Sequence, residues 1–266
     1  IMVVISPLLN ILSRSVRTIR KFVLRDFYEI EKLQSSIKKN NHFVDNSVSK
    51  LKVEVNKVLN KLNPELEIIT NNKLPTKDCW IIDYSDYYSN LKRANDNLGI
   101  GIAFMKEGHI KSYFFYNPIK DDSFFFEKGT GAFKNDFRIR VSNETNMKET
   151  IVSLFKKVNE NDDKEALSFL KKIFFDHSVI QRELGSLNYA LCDLASGKID
   201  CAIFVNPTKK TEIVLNLILS ESGGKLNISE FKESKIFICS NKLIEKTVKE
   251  MVETNIIKDE RIHKIF

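Results

Sequence analysis

Between about residues 66 and 141 the chain is a train of short β-rich runs, and no other feature restricts its fold as strongly. LEII, CWII, LGIGIAF, IKSYFFY, SFFF and RIRV are rich in β-branched and aromatic residues, and turn signals such as KEGH, NPIKDD and KNDF separate them. Strands joined by connections this short pair with their neighbours in antiparallel order. The stretch predicts an antiparallel meander. The aromatic run Phe124–Phe126 could stack nucleobases, but side chains alternate across a strand, and we read it as core.

Helical patterns stand on both sides of the meander. From Pro7, the apolar residues Leu8, Leu12, Val16, Ile19 and Val23 advance by steps of three or four, which predicts one amphipathic helix with proline in its first turn. Its other face carries Arg14, Arg17, Arg20 and Lys21 and reads as solvated. A second stripe, Val48, Leu51, Val55, Val58 and Leu62, ends at Asn63-Pro64. Beyond about residue 150, the helical runs EALSFLKKIFF, LNYALCDLAS, TEIVLNLILSES and KLIEKTVKEMV alternate with DCAIFV and KIFICS, the pattern of an α/β subdomain. The expected division is residues 1–145, N-terminal helices with a large antiparallel sheet, and 146–266, a C-terminal α/β subdomain.

With 266 residues, 42% of them hydrophobic, the chain can bury a sizeable core. Its net charge of +7 is spread over 42 basic and 35 acidic residues, which does not call for a nucleic-acid surface. Cys79, Cys192, Cys201 and Cys239 show no metal spacing and read as buried thiols of a reducing cytoplasm. The opening IMVVISPLLNIL lacks a basic leader and is too short to span a bilayer, so we expect no membrane association. His42, His109, His177 and His263 have no acid or nucleophile close by in sequence and are assigned no catalysis.

The stretch IIDYSDYYSN, residues 81–90, raises the question of chemistry. Asp83 and Asp86 stand three apart after an apolar run, as carboxylates do when they share a divalent ion, although such a pair is more often a turn or a helix cap.

WIIDYSDYYSN, then LGIGIAFMKEGHIKSYFFYNPIKDDSFFFEKGTGAFKNDFRIRVS, LASGKIDCAIF and ESGGKLN resemble the inositol monophosphatase family, in particular its bacterial extragenic-suppressor branch. That branch reads W-I-[IV]-D-P-[LI]-D-G-T-T-N-F, F-N-P, G-G-G-A-F-x-N, A-x-G-x-x-D, and W-D ahead of E-A-G-G. The resemblance implies an α+β fold, a layered α-β-α-β-α sandwich of the inositol monophosphatase and fructose-1,6-bisphosphatase type, commonly dimeric. It also implies a Mg²⁺-dependent phosphatase site in which Asp83, Asp86 and the Ser85 carbonyl are metal ligands.

The other family positions are changed. The upstream glutamate falls on Asn71, the aspartate after V-T on Val48, the W-D aspartate on Thr211 and a substrate-contacting glutamate on Phe204. Tyr87 and Tyr88 replace the Gly-Thr of the phosphate loop, and a tyrosine there must move the loop or put its ring where phosphate would lie. The expected metal site is vestigial: weak Mg²⁺ binding at Asp83, Asp86 and Ser85, no required cofactor and no catalytic residue. One compensation is an ammonium, Lys209 or Lys210, pairing with Asp83 or Asp86 in place of the metal.

Three functions remain: a homodimeric cytoplasmic pseudoenzyme acting by binding, with a protein partner in the transcription or ribosomal RNA machinery; a residual Mg²⁺-dependent phosphatase for inositol monophosphate or a related sugar phosphate; and a small-molecule sensor. The first fits best, because each lost transition-state contact costs roughly a hundredfold in rate.

Overall fold

The computed structural model describes residues 5–33, 37–71, 75, 77–84, 87–156, 162–183 and 185–263. They form two compact units, Ile1–Arg138 with Gly185–Tyr189, and Ile139–Leu184 with Ala190–Phe266.

The first unit begins with helices. Helix α1 (Pro7–Arg17) starts where the Ser6 hydroxyl accepts the Leu9 N–H, with proline in the first turn. The Thr18 N–H and hydroxyl both turn back onto the Ser15 carbonyl, at 3.3 and 2.6 Å, and the chain restarts as α2 (Arg20–Leu33). The single helix expected from Pro7 is therefore two, because a threonine hydroxyl competes with the helical ladder for that carbonyl. The apolar stripe survives the break: Leu12, Val16, Ile19 and Val23 are buried, while Leu8 is partly buried and its neighbour Leu9 fully so. Helix α3 (Ile37–Leu62) buries Val48, Leu51, Val55 and Leu59 and stops before Asn63 and Pro64, as expected.

These helices pack on a seven-stranded sheet whose strands lie in chain order: β1 (Glu67–Ile69), β2 (Cys79–Asp83), β3 (Ile100–Lys106), β4 (His109–Asn117), β5 (Asp122–Glu127), β6 (Gly131–Lys134) and β7 (Phe137–Ile139). From β2 to β6 the pairing is antiparallel, as the turn signals imply. The edge corrects the expected meander: β1 runs parallel to β2, Glu67 opposite Cys79, because the connection returns the chain to the same end of the sheet. Phe125 joins the core facing the helices, where Phe133, Trp80 and Val16 also lie, while Phe124 packs against Tyr189. All three phenylalanines of the run are buried, and the core reading holds.

The second unit carries a five-stranded sheet in the order β11-β12-β10-β8-β9, formed by β8 (Ile151–Lys156), β9 (Ile180–Gln181), β10 (Cys201–Val205), β11 (Lys225–Phe231) and β12 (Ser234–Ser240). Among the described residues its helices are α5 (Asp162–Asp176), most of α6 (Leu187–Ala195), α7 (Lys209–Ser222) and α8 (Glu245–His263); the short α4 (Tyr87–Lys92) belongs to the first unit. Leu170 and Phe174 of α5 and Val248 and Val252 of α8 close the core with Val152, Ile203 and Ile238 of the strands. Gly223 ends α7 at φ 86°, in the left-handed region where a side chain would be strained.

Asp200, which matches the aspartate of A-x-G-x-x-D, works structurally here. One carboxylate oxygen accepts the Ser142 hydroxyl and the other the Ile151 N–H at 2.7 Å. Asn241 completes the junction by donating to Ser142 Oγ at 3.0 Å and capping α8 through the Leu243 and Ile244 N–H groups.

Candidate functional site

Asp83 ends β2, opposite Gly101 of β3, and is buried. Its Oδ2 accepts a hydrogen bond of 3.0 Å from Asn188 Nδ2, and Asn188 Oδ1 accepts one of 3.1 Å from the Tyr113 hydroxyl. A carboxylate only accepts, so the amide must turn its N–H side to Asp83 and its oxygen to the phenol. The direction of the chain Tyr113, Asn188, Asp83 is fixed by that requirement.

Local structure holds the three in place. The Ser186 hydroxyl accepts the Tyr189 N–H at 3.1 Å, starting α6 and setting Asn188 in its first turn. Asn90, the surviving residue of T-T-N, donates to the Gly185 and Asn97 carbonyls at 2.9 and 2.6 Å and so fastens that segment to α4. Gly101 leaves room for the Tyr113 hydroxyl, with which a Cβ at that position would collide.

Helix α4 shows what the two tyrosines do. The Tyr87 ring is fully buried among Trp80, Leu91, Val48 and Leu51, and the Tyr87 N–H closes a turn on the Tyr84 carbonyl at 3.0 Å. The ring therefore points into the helix-sheet core, which favours the first of the two expected alternatives, a displaced loop, over a ring in the phosphate's place. Its large apolar area is worth more when buried than in water. Burial, with the nearby Asp26 carboxylate, pushes the phenol far above its ordinary value, so it stays neutral. Tyr88 leans back on α3, where burial and then a hydrogen bond to Asp45 raise its phenol.

The other changed positions serve packing and capping. Val48 lies in the same core as Tyr87, and Phe204 stacks on Phe155 at 5.5 Å between ring centres. Thr211 is buried in the first turn of α7, its N–H and hydroxyl engaged by Thr208 at 3.3 and 3.0 Å. Lys209 gives its ammonium to Glu212 of its own helix at 2.6 Å. Asn71 is exposed. Ser85 and Asp86 lie outside the described residues.

Of the expected ligands Asp83 alone lies among the described residues, and one of its two oxygens is taken by an N–H donor. A Mg²⁺ ion needs several hard oxygens converging on it, and the N–H that Asn188 aims at Asp83 Oδ2 repels a cation from that oxygen. Among the described residues no three His, Cys, Asp or Glu side chains stand close enough together to share a metal. The Asn188 contact was not legible in the sequence, where a single asparagine at a helix start reads as a cap.

The sequence matches the family model described as the inositol monophosphatase family over residues 6–262. Similar proteins include one named Nus factor SuhB of Pasteurella multocida, 27% identical over 248 residues, covering 90% of this chain and 91% of that protein. Another is named inositol-1-monophosphatase, of Rhizobium meliloti, at 25% over 259 residues, covering 93% and 97%. Among solved structures, the extragenic suppressor protein suhB of Bartonella henselae superposes with a TM-score of 0.75 at 19% identity, covering 93% of this chain and all of that one. That likeness shows the fold, the α+β sandwich of the inositol monophosphatase type. No helix among the described residues is long and apolar enough to cross a membrane.

Proposed function

The chain belongs to the inositol monophosphatase family, and from that premise we propose that it acts by binding a protein partner and not by hydrolysing a phosphate ester. The observation that carries this reading is the Tyr113, Asn188, Asp83 chain, in which a neutral amide engages the acidic end of β2. The packing roles of Val48, Tyr87, Phe204 and Thr211 support it, since each stands where the family resemblance calls for a polar, charged or glycine residue. Relatives named Nus factor SuhB point to a partner in transcription, and we extend this to the machinery that makes ribosomal RNA. The partner-binding form is a cytoplasmic homodimer.

A second reading, residual Mg²⁺-dependent hydrolysis of inositol monophosphate or a related sugar phosphate, is favoured by the retention of Asp83 and by the relative named inositol-1-monophosphatase. Isothermal titration with Mg²⁺ and Mn²⁺, with phosphate release from inositol monophosphate assayed on the same sample, separates the two. The binding reading expects neither binding heat nor release, and recovery of transcription proteins on the immobilised chain. Metal-dependent release that disappears in Asp83→Asn overturns it.

A further inference from the structure

Arg14 and Arg17 of α1 are exposed, as a solvated face expects, and they also wall a cavity. Asn10, Ser13, Arg14 and Arg17, spaced as one face of the helix, line a cavity of about 290 Å³ together with Ile5, Phe125, Asn135 and Asp136. All of these belong to the first unit. Two clamps hold α1 over the sheet on either side of this cavity. At its start the Ser6 N–H donates to Glu127 Oε2 at 3.0 Å. At its end Arg17 and, across the break, Arg20 both face Asp121 Oδ1 at 3.6 and 3.8 Å, while the Tyr116 hydroxyl donates to that same oxygen at 2.8 Å.

The groups around the cavity are matched to one chemistry. Arg14 has no ion pair or hydrogen bond among the described residues, and neither does the side-chain amide of Asn10. Asn135 spends its Oδ1 on the Ser123 N–H at 2.9 Å, so its second polar atom is the N–H₂ donor. A guanidinium fork with amide donors is the set that binds a tetrahedral oxyanion. Asp136 adds one carboxylate, an acceptor for hydroxyl groups, and Ile5 and Phe125 make an apolar floor. Arg17 is shared with Asp121, so Arg14 is the guanidinium of the cavity with no carboxylate of its own among the described residues.

We propose that this cavity between α1, β5 and the β6–β7 turn binds a phosphate monoester of a small hydroxylated molecule, its phosphate on Arg14, Arg17, Asn10 and Asn135. The site is separate from the end of β2 and does not rest on the partner-binding reading.

Titration of the full chain with ribose 5-phosphate, followed calorimetrically in metal-free buffer, tests it. Saturable binding in the millimolar range or tighter is expected, with inorganic phosphate competing. Arg14→Gln weakens the binding at least tenfold without changing the melting temperature, because the Arg14 side chain holds no other residue. Asn10→Asp, which puts a carboxylate beside the anion, does the same. Asp83→Asn leaves the affinity unchanged. Absence of saturable binding, failure of inorganic phosphate to compete, or binding that survives Arg14→Gln and is lost in Asp83→Asn overturns the proposal.

Discussion

Asn188 Nδ2 stands 3.0 Å from Asp83 Oδ2, joining residues 105 positions apart in the chain within one buried contact. The carboxylate that a metal would need is thereby bound to a neutral amide, and the amide is held in turn by Tyr113. Replacing that amide by a second acid should favour a cation at this end of β2. In Asn188→Asp, two carboxylates face each other and the melting temperature falls in metal-free buffer. Millimolar Mg²⁺ or Mn²⁺ should restore it, with affinity at least about tenfold above that of the parent chain, roughly 1.4 kcal/mol or more. An unchanged metal response in calorimetry counts against the amide as the obstacle.

Tyr87 is a packing residue with a spare hydroxyl: its oxygen is buried and finds no hydrogen-bond partner among the described residues. Removing a buried unsatisfied group relieves a desolvation cost, so Tyr87→Phe should be neutral or stabilise by up to about 1 kcal/mol. Tyr87→Gly, which recreates the small residue of the family loop, deletes the whole ring and should cost at least about 3–5 kcal/mol. Urea denaturation of the two variants decides it, and a mild effect of Tyr87→Gly would be the contrary result.

Asp200 holds the Ser142 hydroxyl and the Ile151 N–H on its two oxygens. In Asp200→Asn one of those donors must face an amide N–H₂, and a buried donor left unpaired costs about 1–3 kcal/mol. The midpoint of denaturation should drop accordingly. Binding of ribose 5-phosphate at the α1 cavity should not change in the folded protein.

Stability should fall on the alkaline side. Burial, with smaller contributions from Glu67 and Asp78, pushes the Cys79 thiol up to about 11, and burial raises Cys201, Cys239, Tyr84 and Tyr116 as well. These groups keep their protons in the fold after the unfolded chain has begun to lose its own at about pH 9 for thiols. The native state then binds more protons, so stability is complete below about pH 8.5 and declines from pH 9 towards 11. Denaturation midpoints at pH 7, 9 and 10.5 should fall in that order. All four thiols are buried, and alkylation at pH 8 should label them only after denaturant is added.

Much of the fold is legible along the chain. The helical stripes of Val16 and Val55, the strand runs around Trp80 and Phe114, and the stop at Pro64 are local patterns with periods of about 3.6 or 2, and such patterns choose an element whatever it meets later. The break at Thr18 was not legible, because a threonine inside an apolar stripe costs a helix little until its hydroxyl captures a carbonyl. Strand β8 is not legible either. It joins the sheet by pairing with β10, about fifty positions later.

The sequence by itself determined the family, the kinds of elements, and the uncharged residues at Asn71, Val48 and Thr211, since residue identity and short-range spacing are properties of the chain alone. Tertiary structure decided what the retained groups do. Asp83 meets Asn188 only because β2 registers against Gly101 and Asn90 ties down Gly185. Tyr87 turns inward because α4 lies over an apolar core that takes the ring. Arginines on a helix face become the wall of a cavity only when that helix is clamped at both ends above β5. Side-chain convergence depends on strand register and helix docking across many tens of residues, and no local period encodes it.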